Sequence, residues 1–444
     1  MNLTGDNLFF RPPKPRANPA RIFILLVLII VSAFVLRSVN AGEIKPFFSP
    51  TATPTRAASS FALEGQTHFA SGDLNKSIEA YKKAIELDKT NTNLMAELAR
   101  IQVYSSTLLT TDRETKQRLE EGLATINNAA NIAPEDSMVH AVRAFALNWN
   151  ANPVLAGDKT QALLTQAEQA AVRALQLDNQ NTLALAYYAE ILLDEQKWLQ
   201  AEQYIKQALE KNPDLMDVHR INAYIQETLG NYSAAIKAYQ EAVKISPNLT
   251  FLYLRIGANF RQLKNFERAL EYFDKAVRIN ENLGVKDPIP YLAISRTYSQ
   301  MGEFFIASRN VEKAIKYNPT SPDVYAQLGI IYFKGRNYEG AIPALRCAIQ
   351  GCNAEVSCEV RKCDSETDTP IEITGMALSA NTVVYYYTLG SVLAAMHRSD
   401  DNNCVEAMDV LKQVRTEFGN DPSIMSIVAE SEKICQTFGQ DSGT

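Results

Sequence analysis

The sequence predicts an all-α fold: a solenoid of about nine stacked helix pairs, closed by a capping helix and preceded by one transmembrane helix. Three observations carry that expectation. Ala201, Ala235 and Ala269 lie 34 residues apart, as do Ala208, Ala242 and Ala276; after a four-residue slip at Leu283–Lys286 the rhythm returns at Ala307 and Ala341. Pro213, Pro247 and Pro319 fall at the same point of successive units, just before the next unit opens. Within a unit, apolar residues recur at helical spacing in two short runs, first Leu185, Tyr188, Ala189 and Leu192, then Trp198, Ala201, Ile205, Ala208 and Leu209. A helix pair of this size cannot bury its apolar face alone, so a fixed period of this length marks a stacked array.

In chain order, residues 1–21 form a basic tail, with Arg11, Lys14, Arg16 and Arg21 against the single acid Asp6. Ile22–Leu36 is uncharged and spans roughly 22 Å as a helix; extended to Ala41, with Arg37 snorkelling, it reaches about 30 Å. Residues 22–41 therefore read as a signal-anchor helix, with the N-terminus cytoplasmic because the basic residues stand in front of it. Two other readings compete. Val39-Asn40-Ala41 suits a cleaved signal sequence, which the long basic lead and Arg37 disfavour. A buried soluble helix needs a partner core, and residues 42–57, rich in Pro and Thr, read as an extended spacer instead.

The array is expected over residues 58–350. Phe61, Gly65, Gly72-Asp73, Ser77, Tyr81 and Ala84 make its first unit. Units two and three are irregular, each with about eleven extra residues between its helices, at Thr107–Lys116 and Asn150–Asp158. Longer helices or a protruding loop would both fit. Units four to eight are regular: Pro213 stops one helix and Gly230 turns the chain between two others. Residues 351–380 form a polar, Cys-containing insert. Residues 381–436 hold the last unit and, after Asp421-Pro422, a capping helix; residues 437–444 read as a disordered tail.

Two slots recur along the array. Ala189, Ala223, Gly257, Ser295, Gly329 and Gly390 share one, and Ile205, Tyr239, Phe273 and Leu345 share another. With Leu328-Gly329, Tyr332, Asn337-Tyr338, Ala341, Leu345 and Ala348, and again with Gly257, Phe260, Asn265-Phe266, Ala269, Phe273 and Ala276, the chain resembles the tetratricopeptide repeat family from about Ser59 onward. The resemblance implies a right-handed α-α superhelix whose concave face binds a peptide or another protein. By the family pattern, the inward-facing positions include Arg220, Tyr224, Phe251, Arg261, Ile289, Arg296, Ile330 and Phe333. Arginine and aromatic side chains together are what binding hot spots favour. Some members of the family clamp a peptide carboxylate with paired Lys and Asn; those Asn partners are missing here, so that specificity is not carried over.

Composition narrows the function further. A net charge of −6 and a pI near 5.5 argue against a nucleic-acid-binding surface. All six cysteines lie at or beyond Cys347: Cys347, Cys352, Cys358, Cys363, Cys404 and Cys435. An even number in an exported domain suits disulfides, and Cys404 and Cys435 are placed to staple the cap; connectivity among the other four stays open. The gaps are wrong for zinc, and no His is interleaved. His68, His140 and His219 occupy repeat slots, and His397 ends a helix. No nucleophile elbow, zinc motif or phosphate loop appears, so neither catalysis nor a cofactor or metal is expected.

The expectation is a non-catalytic interaction scaffold, anchored in the cytoplasmic membrane of a bacterial envelope, with its repeats on the outer side. A cytosol-facing receptor and an accessory subunit of a glycan or lipid enzyme complex remain as alternatives.

Overall fold

The computed structural model describes residues 18–41, 56–364, 368–398 and 403–441. The basic tail at 1–17, residues 42–55 of the spacer and the last three residues lie outside the described residues. The chain divides into two compact units, Met1–Arg56 and Ala57–Thr444.

In the first unit, a helix runs from Pro19 to Asn40. It starts three residues before Ile22 because the Asn18 side chain accepts a hydrogen bond from the Ala20 amide and Pro19 is preset for a first helical turn. Its stretch Pro19–Val39 has 21 residues and a mean hydropathy of 2.8, long and apolar enough to cross a membrane. The apolar side chains Ile22 to Leu36 stand exposed around it.

The second unit is all-α among its described residues, apart from one isolated antiparallel bridge between Cys352 and Ile373. Its helices pair in sequence, and each pair packs on the next. The two sequence slots meet inside each pair. A Cβ added at Gly65 would lie 2.6 Å from the Tyr81 ring, and one at Gly390 would lie 2.6 Å from Leu411. Gly257 stands in the same way against Phe273, and Gly329 against Leu345. Small residues sit where the large residue of the partner helix must fit, which is why the two patterns share one period. The turn between helices needs a left-handed residue; Gly230 supplies it at φ +78, but Gln196, Lys264 and Arg336 take the same conformation at +63, +57 and +60.

Both irregular units lengthen their second helix and add a short connection. In unit two the chain leaves Thr92–Ser105, makes a single turn at Ser106–Leu108 and enters the 21-residue helix Asp112–Ile132. In unit three, Pro153–Ala156 and Gly157–Lys159 bridge Ser137–Asn150 to the helix Thr160–Leu177. The slip at Leu283–Lys286 adds one turn to the second helix of unit six, Phe266–Leu283, which Gly284 ends at φ +66. The buried apolar residues divide near there. One cluster runs from Leu74 to Ile256 and another from Val277 to Cys435. Buried Asn280 and Asp287, hydrogen-bonded at 2.9 Å, lie beside the break.

The cysteines pair as Cys347–Cys352, Cys358–Cys363 and Cys404–Cys435. The third closes a 31-residue separation and ties the last unit to the capping helix, a constraint worth on the order of 3 kcal/mol. The capping helix Pro422–Asp441 runs past position 437, where the sequence predicts a disordered tail. The Cys435 anchor holds the turns before it, and Thr437 returns a hydrogen bond to the Lys433 carbonyl.

Candidate partner-binding groove

The first helices of units two to five bring their polar residues together, and apart from the buried Arg100 Nε those residues largely satisfy one another. Tyr104, on the helix Thr92–Ser105, and Tyr187, on the helix Thr182–Asp194, both donate to the Asp217 carboxylate, Tyr187 at 2.7 Å. Arg100 donates to the same carboxylate at 2.8 Å. Burial would raise the Asp217 pKa, but Arg100, the two tyrosines and Arg220 outweigh it and hold the carboxyl below its ordinary value. Arg220 donates twice to Glu190, at 2.9 and 2.6 Å. Its guanidinium lies 5.4, 5.5 and 5.7 Å from the rings of Tyr104, Phe145 and Trp149. Phe251 stacks on Tyr104 at 5.2 Å.

This arrangement corrects two of the groove residues expected from sequence. Arg220 and Phe251 are each only 6% exposed, so neither presents its side chain to a partner. The cause is long-range: Tyr104, more than a hundred residues earlier, fills the space in front of both. Tyr224 is half-buried and donates to Asp194 at 3.0 Å, with Arg255 over its ring.

Three other expected residues come together. Arg261, Ile289 and Arg296 line one cavity of about 270 Å³, with Leu254, Ala258, Phe273, Leu292, Ala293, Asp323 and Gln327. Leu109 and Thr110, from the connection in unit two, form a wall of it. That connection is pinned across the array: Thr110 Oγ1 lies 2.7 Å from Ser321 Oγ and accepts from Asn318 at 3.2 Å, while Asp112 accepts from Asn381 at 2.8 Å. Ile330 and Phe333 are half-buried in unit eight and do not line this cavity; Phe333 packs on the Tyr338 ring at 6.0 Å.

The two arginines differ from Arg220 in their company. Arg261 donates only to the Ala293 carbonyl at 3.4 Å and lies 5.8 Å from the Phe273 ring. Burial and the nearby charge of Arg296 push its pKa below the usual arginine value. Arg296 donates to Gln327 at 3.3 Å, and Gln327 donates to Asp323 at 2.6 Å. Tyr385 donates to the other Asp323 oxygen at 3.0 Å, and burial raises that carboxyl. Among the described residues, neither Arg261 nor Arg296 makes an ion pair.

A larger crevice of about 560 Å³ runs along the second helices of units six and seven. Glu271 pairs with Lys275 at 2.8 Å and Asp274 with Arg278 at 2.8 Å, Glu281 accepts from Tyr291 at 3.0 Å, and Glu267 makes no ion pair among the described residues. The smaller cavity, which holds three of the expected groove residues and an Arg261 with no acid beside it, is the better candidate. Sequence spacing gave no sign of its Leu109 and Thr110, because nothing local ties a connection in unit two to units six to eight.

An α-α solenoid with such a cavity on its first helices belongs to the class of repeat scaffolds. Family profiles described as tetratricopeptide repeat match residues 58–91, 189–250 and 222–283, and these stretches carry tetratricopeptide repeats. It is similar to the bovine (Bos taurus) BBSome complex member BBS4, 24% identical over 117 residues, covering 26% of this chain and 22% of that one. It is also similar to the human (Homo sapiens) mitochondrial import receptor subunit TOM70, 19% identical over 258 residues, covering 57% and 40%. A human SGT1 homolog is 30% identical over 97 residues, covering 22% and 26%. The chain thus spans less than half the length of each of these relatives. A tetratricopeptide repeat protein from Parabacteroides merdae aligns with a TM-score of 0.37 and 16% identity, over 62% of this chain and 98% of that one. Proteins of this repeat family are in general non-catalytic interaction scaffolds.

Proposed function

We propose that this chain is a non-catalytic scaffold that receives partner proteins or peptides in the part of its groove built by units six to eight, at the outer side of the cytoplasmic membrane. The cavity of Arg261, Ile289 and Arg296 carries the reading, since it is the part of the expected groove not filled by the chain's own side chains. Pro19–Val39 would be its anchor, and three disulfides suit an oxidising compartment rather than the cytosol. One relative is an import receptor subunit, in keeping with an array that receives other chains.

Photo-crosslinkers placed at Arg296, Ile330 and Phe333 in native membranes test the binding face, with Lys206 on a second helix as control. The expected result is a protein adduct from the first three positions and none from Lys206. Equal labelling at all four would remove the groove reading. Thiol labelling of intact cells tests the side: cysteines that are reduced and inaccessible would favour a cytosol-facing array.

A further inference from the structure

The cavity between units six and seven has a chemistry of its own, and its role as a binding site rests on the groove proposed for partner proteins. Its cations are built in. Arg261 is partly desolvated against Phe273 with one long hydrogen bond to a carbonyl, and Arg296 stands close enough to depress it further. A desolvated guanidinium with no anion is an unfavourable arrangement that an incoming carboxylate relieves. Arg296 already faces the Asp323 carboxylate, which Asp112 also adjoins, so Arg261 alone lacks an acid beside it, and a single unmatched cation suits a monoanion better than a phosphate dianion. The other walls are Leu109, Leu254, Ala258, Ile289 and Leu292. At about 270 Å³ the space lies just below the range of roughly 300–1,000 Å³ typical of small-molecule sites, which fits one or two side chains rather than a cofactor.

We propose that this cavity binds an acidic side chain next to an aliphatic one, both on an internal segment of a partner protein, with Arg261 as the carboxylate's main contact. Leu109 and Thr110 make the site composite: the unit-two connection, held by Ser321 and Asn318, supplies one wall of a site whose cations come from units six and seven. The acidic residue takes the place of the missing counter-charge, and the aliphatic neighbour packs on Ile289 and Leu292.

The test is a selection from a displayed library of random octapeptides on the full-length protein in detergent. Peptides with an Asp or Glu beside an aliphatic residue at a common register are expected to be enriched. An enriched peptide, resynthesised with an amidated C-terminus, should bind at least tenfold better than its Glu→Gln or Asp→Asn form. That discrimination should vanish in R261M, while R261K keeps part of it. Loss of both peptides together is the signature of a misfolded variant, and R296Q then repeats the measurement. Enriched peptides without an acid, or discrimination that survives both R261M and R296Q, would overturn the proposal while leaving groove binding in place. Binding that needs a free C-terminal carboxylate would overturn the assignment to a side chain. Failure to enrich any peptide would remove the groove reading and this inference with it.

Discussion

Arg220 in unit five and Arg261 in unit six sit on consecutive first helices, yet they meet opposite fates. Arg220 is clamped by Glu190 and stacked among three rings, while Arg261 has a carbonyl, a single ring and a like charge for neighbours. The difference lies in what reaches each residue from far along the chain. Unit two sends Tyr104 against Arg220, whereas its Leu109 and Thr110 wall the cavity of Arg261 and its Asp112 acts on Asp323 rather than on Arg261. One half of the groove is therefore self-satisfied structure, and the other keeps an unmatched charge. Arg220 stands early in its helix Met216–Thr228 and Arg261 late in its helix Thr250–Gln262, so repeat position and long-range neighbour together separate a core residue from a candidate ligand contact.

Four measurements would break or sharpen that contrast. The largest effect is expected from R220M, which leaves Glu190 buried without its partner: a loss of about 3–5 kcal/mol by urea unfolding, most of it restored in R220M/E190M. A loss below about 1 kcal/mol would mean that the network is not the structural core of its half. The shared lattice comes next. Gly257→Ala and Gly329→Ala, on either side of the break between clusters, should each cost about 1–3 kcal/mol, because the added methyl meets Phe273 or Leu345. If only one of them costs stability, the two halves do not share a packing rule.

The third concerns the seam. Burial lifts the Asp287 carboxyl to about 6, against the hydrogen bonds from the Ile289 amide and Asn280 that favour its charged form. The folded chain therefore keeps a proton that the unfolded chain has lost between about pH 4 and pH 6. Stability from this group is full below that window and is lost as pH rises through 6. Relative to D287N, which cannot titrate, the wild type should lose about 3 kcal/mol across the window and stay level above it. A flat difference would place Asp287 in solvent. The smallest change is expected from R261M: stability within about 0.5 kcal/mol of wild type, or slightly above it, since a cation without a partner is replaced by an apolar chain. A loss as large as that of R220M would erase the contrast between the halves.

Much of the fold was legible in sequence, and the reason is local. Ala201 and Ala208, Gly257 and Phe273, Pro213 and Gly230 act within a helix pair, where period and residue size dictate contact. So do Asn18 and Pro19 at the start of the apolar helix, although residues that precede the hydrophobic run are easily read as tail. The left-handed Gln196, Lys264 and Arg336 were not legible, because packing of the two helices imposes a turn that their side chains do not favour. Of the eight residues placed in the groove, Arg261, Ile289 and Arg296 share a cavity and Arg220 and Phe251 are buried.

Local sequence was enough to specify a row of helix pairs, their small-to-large packing, an apolar segment of membrane-spanning length and a cysteine-rich end, since each depends on residues within a few turns of one another. Which arginines have counter-charges, where Thr110 lands and how Cys347, Cys352, Cys358 and Cys363 pair emerged only in the folded chain. The placing of Thr110 and of Tyr104 depends on curvature summed over many units, which sets the distance between residues one to two hundred positions apart and is written in no single repeat.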